Sequence, residues 1–149
     1  ARLHQLDSGV VVDYRRSTAE QLAAEKAGAY DIVCCLEMLE HVPEPGEVIA
    51  ACAELAKPGG ALYFSTINRN PKAFAFAIVG AEHILQLLPA GTHEYARFIK
   101  PSELASWLRE AGLVLEGMTG LTYNPLTKRY RLNEADVSVN YIVRAAKPA

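Results

Sequence analysis

The chain has 149 residues, half of them hydrophobic, which suffices for one cored domain and is too short for two ordinary ones. A formal net charge of -2 offers no basic surface of the kind nucleic acid selects, so a nucleic-acid partner is not expected. Three cysteines, none in a Cys-x-x-Cys pair, fit a reducing compartment and exclude a thiolate metal site.

In chain order, Leu3 and Leu6 ahead of Gly9 read as the last turns of a helix whose beginning is not in the sequence. With Ala rather than Met first, the expectation is a processed or incomplete chain; no signal peptide and no membrane-spanning run are expected. A β-branched run predicts a strand over 10–14, and Thr18 with Ala19 opens a helix to Ala27 that Gly28 closes. Residues 32–36 are a short apolar run, the pattern of a parallel strand buried on both faces. Cys34 and Cys35 fall within it as small core residues.

Polarity then changes abruptly. Glu37, Glu40 and His41 stand at i, i+3 and i+4, so a helical turn there would point all three side chains the same way. Pro43 and Pro45 end that turn and start the next helix. In an open α/β sheet ligands sit beyond the carboxyl ends of the strands, and two carboxylates and an imidazole there could hold a divalent cation. The same spacing also describes a solvated turn with a Glu–His contact.

An amphipathic helix over 44–56 presents Val48, Ile49, Cys52 and Leu55 on one face. Lys57-Pro58-Gly59-Gly60 closes it, and a strand follows over 61–65. Residues 68–100 are too long for a simple connection and rich in apolar side chains, including Phe74, Phe76, Ile84 and Leu88, which suits a helical hairpin or lid. Lys100-Pro101-Ser102-Glu103 starts a helix through Leu104, Trp107 and Leu108 to Ala111, capped by Gly112. Strands are predicted over 113–119 and 137–145, joined by a long polar loop carrying Tyr123-Asn124-Pro125. The total is an α/β alternation ending strand-strand, without repeats.

That order, with the proline-glycine turn between helix and strand, resembles the later part of a class I S-adenosylmethionine-dependent methyltransferase. Six blocks sharpen the likeness: Leu36-Glu37-Met38-Leu39-Glu40-His41-Val42-Pro43, Phe64-Ser65-Thr66-Ile67-Asn68-Arg69-Asn70, Val79-Gly80-Ala81-Glu82, Gly91-Thr92-His93, Phe98-Ile99-Lys100-Pro101 and Gly120-Leu121-Thr122-Tyr123-Asn124-Pro125. Together they resemble the O-methyltransferases of ubiquinone biosynthesis across essentially the whole chain.

The resemblance implies a Rossmann-like methyltransferase sheet with helices on both faces, one domain over 1–149, and a lid insertion over 70–100. It implies S-adenosylmethionine as methyl donor and the phenolic hydroxyl of a polyprenylated ubiquinone precursor, a phenol or quinol, as acceptor. Leu36 would contact the cofactor through its backbone, with Thr18 and Ala19 as adenine-side candidates. Glu37, Glu40 and His41 match the family's divalent-cation positions, with magnesium the first choice and manganese or zinc open. His93 is the candidate general base, since an imidazole titrates near neutrality. The implied setting is cytoplasmic. Residues 70–92 are either a packed lid or a contact with the inner face of the membrane, and a ubiquinone-biosynthesis complex is an expected partner.

One departure from the family is large. The glycine-rich first turn and the acidic residue after the second strand have no counterpart, and no Gly-x-Gly occurs in the sequence. In the family the first two strands lie between the strands predicted here over 10–14 and 32–36. The expectation is therefore the C-terminal portion of a longer enzyme with an incomplete sheet, binding cofactor poorly alone. Two alternatives stay open: another small-molecule class I methyltransferase, or an inactive lipid-associating piece of a biosynthetic complex.

Overall fold

A computed structural model of the chain describes residues 9–75, 94–124, 127 and 129–149. The expected helix end before Gly9, most of the lid and His93 lie outside the described residues. Helix α1 (Ala19–Lys26) starts where Thr18 and Gln21 satisfy one another's backbone. Thr18 Oγ1 accepts from the Gln21 amide at 3.2 Å, and Gln21 Oε1 accepts from the Thr18 amide at 3.2 Å. Beyond its end Gly28 takes φ 61°, a left-handed conformation that suits glycine.

Strand β1 (Tyr30–Leu36) leads through a 3₁₀ turn (Leu39–His41) into α2 (Pro45–Leu55). The predicted face of α2 is the buried one: Val48, Ile49, Cys52 and Leu55 are all in the core. Strand β2 (Ala56–Ile67) pairs with β1 in parallel, first Tyr30 with Ala56 and then, past an irregularity, Ile32 with Ala61. The predicted Lys57-Pro58-Gly59-Gly60 turn is thus an excursion within β2, with Gly59 at φ 76°. Short α3 (Pro71–Ala73) and a 3₁₀ turn (Tyr95–Arg97) lie within the two ends of the predicted lid. Next comes α4 (Pro101–Glu110), whose first turn is closed by the Lys100 amide donating to Glu103 Oε2 at 2.9 Å.

Strands β3 (Val114–Asn124), β4 (Arg129–Asn133) and β5 (Asn140–Ala146) complete one five-stranded sheet in the order β1-β2-β5-β3-β4. Among the described strands only the β1–β2 pair is parallel. β5 is central, and its alternate residues Tyr141, Val143 and Ala145 are buried with Leu62 and Phe64 of β2 against α2 and α4. The Tyr141 hydroxyl donates to the Ile99 carbonyl at 2.9 Å, giving this core ring its polar partner.

Three expectations are corrected. Residues 10–14 form no strand, because no described strand runs beside them; Val11 is 89% exposed. β1 is not buried on both faces: Ile32 is 60% and Leu36 54% exposed, since β1 is the edge of the described sheet and pairs only with β2. The polar loop after β3 holds β4, which pairs with the second half of β3 from Gly120 with Asn133 to Asn124 with Arg129.

Candidate active site at the carboxyl ends of β1 and β2

β1 and β2 run parallel, so their carboxyl ends share one side of the sheet, and antiparallel β5 brings its first residue, Asn140, to the same side. The chain leaves β1 at Leu36 and turns at Glu37, which takes φ 51°. A non-glycine residue there carries a cost of roughly 1–2 kcal/mol, which the surroundings must offset. They do so through β2 and β5. The Glu37 amide donates to the Ser65 carbonyl and to Ser65 Oγ, both at 3.1 Å. In return Ser65 Oγ donates to Glu37 Oε1 at 2.6 Å, and Asn140 Nδ2 donates to Glu37 Oε2 at 2.9 Å. An exposed carboxylate is thereby fixed at both oxygens.

Glu40 has a different environment. It is 3% exposed, and its carboxylate accepts from Thr66 Oγ1 at 2.7 Å. Burial pushes the Glu40 carboxyl above the usual carboxylate range; the Thr66 hydrogen bond opposes the rise, the Glu37 charge adds to it and His41 counters it. His41, ending the 3₁₀ turn, is exposed.

These placements alter the expected alignment of the three side chains. The turn is 3₁₀ and begins at Leu39, so Glu37 lies outside it and the i, i+3, i+4 alignment does not form. Ser65 and Thr66 are successive residues of β2; the first holds the Glu37 carboxylate and the second that of Glu40. Among the described residues no three His, Cys, Asp or Glu side chains gather to hold a metal ion. The donor types suit a hard cation.

Leu36 ends β1 with its side chain exposed. The Thr18 hydroxyl is occupied in capping α1, and Ala19 packs into the core beside α2. The residues that sequence reasoning missed are Ser65, Thr66 and Asn140. A Ser-Thr pair ending an apolar strand was the available signal for the first two; nothing local marked Asn140, which reaches Glu37 only through sheet pairing.

Residues 3–116 match the family described as methyltransferase domain. The chain belongs to that family. This methyltransferase chain is 64% identical over 147 residues to a protein named ubiquinone biosynthesis O-methyltransferase from Saccharophagus degradans, covering 99% of the chain and 62% of the relative. It is 65% identical over 148 residues to the protein of the same name from Hahella chejuensis, again covering 99% and 62%. The chain therefore spans less than two thirds of the length of these curated relatives. Among solved structures, a SAM-dependent methyltransferase from Thermotoga maritima superposes with a TM-score of 0.69 at 20% identity, over 98% of this chain and 69% of that one. That likeness establishes the fold: a Rossmann-like class I methyltransferase arrangement. Among the described residues no helix is long and apolar enough to cross a membrane.

Proposed function

We propose that this protein transfers the methyl group of S-adenosylmethionine to phenolic hydroxyls of polyprenylated ubiquinone precursors, 2-polyprenyl-6-hydroxyphenol and 3-demethylubiquinol. The observation that carries this reading is the 64% identity with the Saccharophagus relative over 147 residues, 99% of the chain. The sulfonium donor supplies an activated methyl: its C–S bond breaks as a C–O bond forms in line, and the phenol loses its proton. Catalysis then consists of holding donor and acceptor aligned and dry.

This chain's contribution is the crevice beyond β1 and β2. Leu36 offers its backbone at the strand end, and Glu37 presents a fixed carboxylate beside the reacting oxygen. His93 is the proposed proton acceptor. Thr18 and Ala19 stay as adenine-side positions. Glu37, Glu40 and His41 stay the proposed positions for a divalent cation, and no catalytic step is routed through one. Residues 70–92, whose sequence is strongly apolar, are proposed to admit the polyprenyl tail at a membrane surface, with a ubiquinone-biosynthesis complex as the wider setting.

The test is turnover of the full-length protein with a demethylated ubiquinone analogue and labelled S-adenosylmethionine. Labelled quinol methyl ether is expected, and a full-length protein that methylates a simple catechol but not the prenylated substrate would replace this reading with another small-molecule methyltransferase. His93→Ala is expected to reduce turnover with a changed pH profile. Flotation on anionic liposomes, with and without residues 70–92, tests the membrane contact. Calorimetric titration of S-adenosylmethionine into the 149-residue chain is expected to show no micromolar binding.

A further inference from the structure

Two local costs converge on Glu37. Its backbone occupies the left-handed region at φ 51°, and Asn140 Oδ1 is buried with no hydrogen-bond partner among the described residues. The second cost has a clear cause. A carboxylate only accepts, so Asn140 must turn its Nδ2 toward Glu37 Oε2, and that orientation leaves its own oxygen unpaired. An amide chosen for its own satisfaction would not stand so, because an unpaired buried acceptor is expensive. Ser65 gives both functions of one hydroxyl to the same residue, donating to Oε1 at 2.6 Å and accepting from the amide at 3.1 Å. Ser65 is buried and lies in a regular register, paired with Leu36 on one side and Ile142 on the other, so its aim is set by the sheet.

We infer that Ser65 and Asn140 are positioning residues, which hold the Glu37 carboxylate in one orientation at the mouth of the methyl-transfer crevice. Strain and an orphaned acceptor persist where a site needs a group held still, and a misplacement of about 1 Å can cost about a hundredfold in rate. Neither residue touches the reacting atoms; both act through Glu37. The inference rests on the proposed function for its catalytic consequence, and its geometric content can be tested apart from it.

In the full-length protein, Ser65→Ala and Asn140→Asp, the latter exchanging the donor amine for oxygen at equal volume, are each expected to lower kcat about 10- to 100-fold with little change in the KM for S-adenosylmethionine. In a Glu37→Gln background the same substitutions are expected to change kcat by less than about twofold, because their effect passes through that carboxylate. Wild-type kcat in either single variant, or an equal loss with Glu37 already replaced, would overturn the assignment. Absence of turnover in the wild type would instead reject the proposed function, and the positioning role is then read from backbone NMR. The Glu37 amide order parameter is expected near about 0.85 in the wild type and below about 0.6 in the Ser65→Ala/Asn140→Ala protein; unchanged order there overturns the inference.

Discussion

Replacing Glu40 by glutamine separates a buried structural carboxyl from a cation ligand. Glu40 is 3% exposed and bonded to Thr66 Oγ1 at 2.7 Å, and glutamine of the same length can still accept that bond. Burial raises the carboxyl in the folded state, so the folded protein holds this proton more tightly than the unfolded chain. Its contribution to stability is therefore greatest below the unfolded carboxylate pKa. It declines as pH rises from there to the raised folded value and is level above, with a slope of at most about 1.4 kcal/mol per pH unit for one proton. Glu40→Gln has no proton to lose. Its stability is expected to equal or exceed that of the wild type at neutral pH, with this part of the slope gone. Thr66→Val conserves volume but removes the donor to a carboxylate, and is expected to cost about 1.5–3 kcal/mol where Glu40 is ionised. At roughly 2–4 °C per kcal/mol for a chain near 150 residues, that is a readily measured fall in Tm. Urea unfolding from pH 4 to 8 of the three proteins is the assay. A Glu40→Gln protein less stable than wild type at neutral pH by more than about 1 kcal/mol, or an undiminished wild-type slope in it, would refute the reasoning.

A Cβ on Gly120 would lie 1.7 Å from the Asp136 carbonyl oxygen, and one on Gly60 2.8 Å from that of Lys57. Gly120→Ala is therefore expected to reach or exceed the roughly 3 kcal/mol upper end of overpacking costs and Gly60→Ala to fall below it, as ranked by thermal melts. Thr18→Ala removes the oxygen that accepts from the Gln21 amide, and about 1 kcal/mol should be lost in urea unfolding. Magnesium titrated calorimetrically into the chain is expected to bind no more tightly than about 1 mM, since among the described residues no three ligating side chains gather; tight binding that Glu37→Ala abolishes would reverse this.

Helices were readable wherever local signals and burial agree. Thr18 with Ala19, Val48 through Leu55, and Leu104 with Leu108 each pair a boundary or periodic pattern with a buried face. Strand propensity alone was less informative. Val10, Val11 and Val12 favour extension, but a strand exists only with a neighbour to pair with, and none is described there. β4 escaped notice because all five of its residues are exposed and its Arg-Tyr-Arg-Leu alternation marks no core face. At the site, spacing placed Glu37 on a helical turn; its positive φ puts it outside that turn, and sequence separation by three and four then loses its meaning. Asn140 was illegible for a more general reason: its partner lies in another strand, and only the register of β2 with β5 brings them together.

Because β5 lies between β2 and β3 although it is synthesised after both, the middle of this sheet is laid last. A ribosome paused before Asn140 would leave two strands prepared for a partner not yet translated, with Phe64 and Leu62 lacking the cover of Tyr141 and Val143. Nascent chains should accordingly stay protease-sensitive and chaperone-bound until β5 has left the exit tunnel, and then consolidate in one step. That step would also deliver Asn140 to Glu37, so the anchoring of the carboxylate would be completed together with the fold.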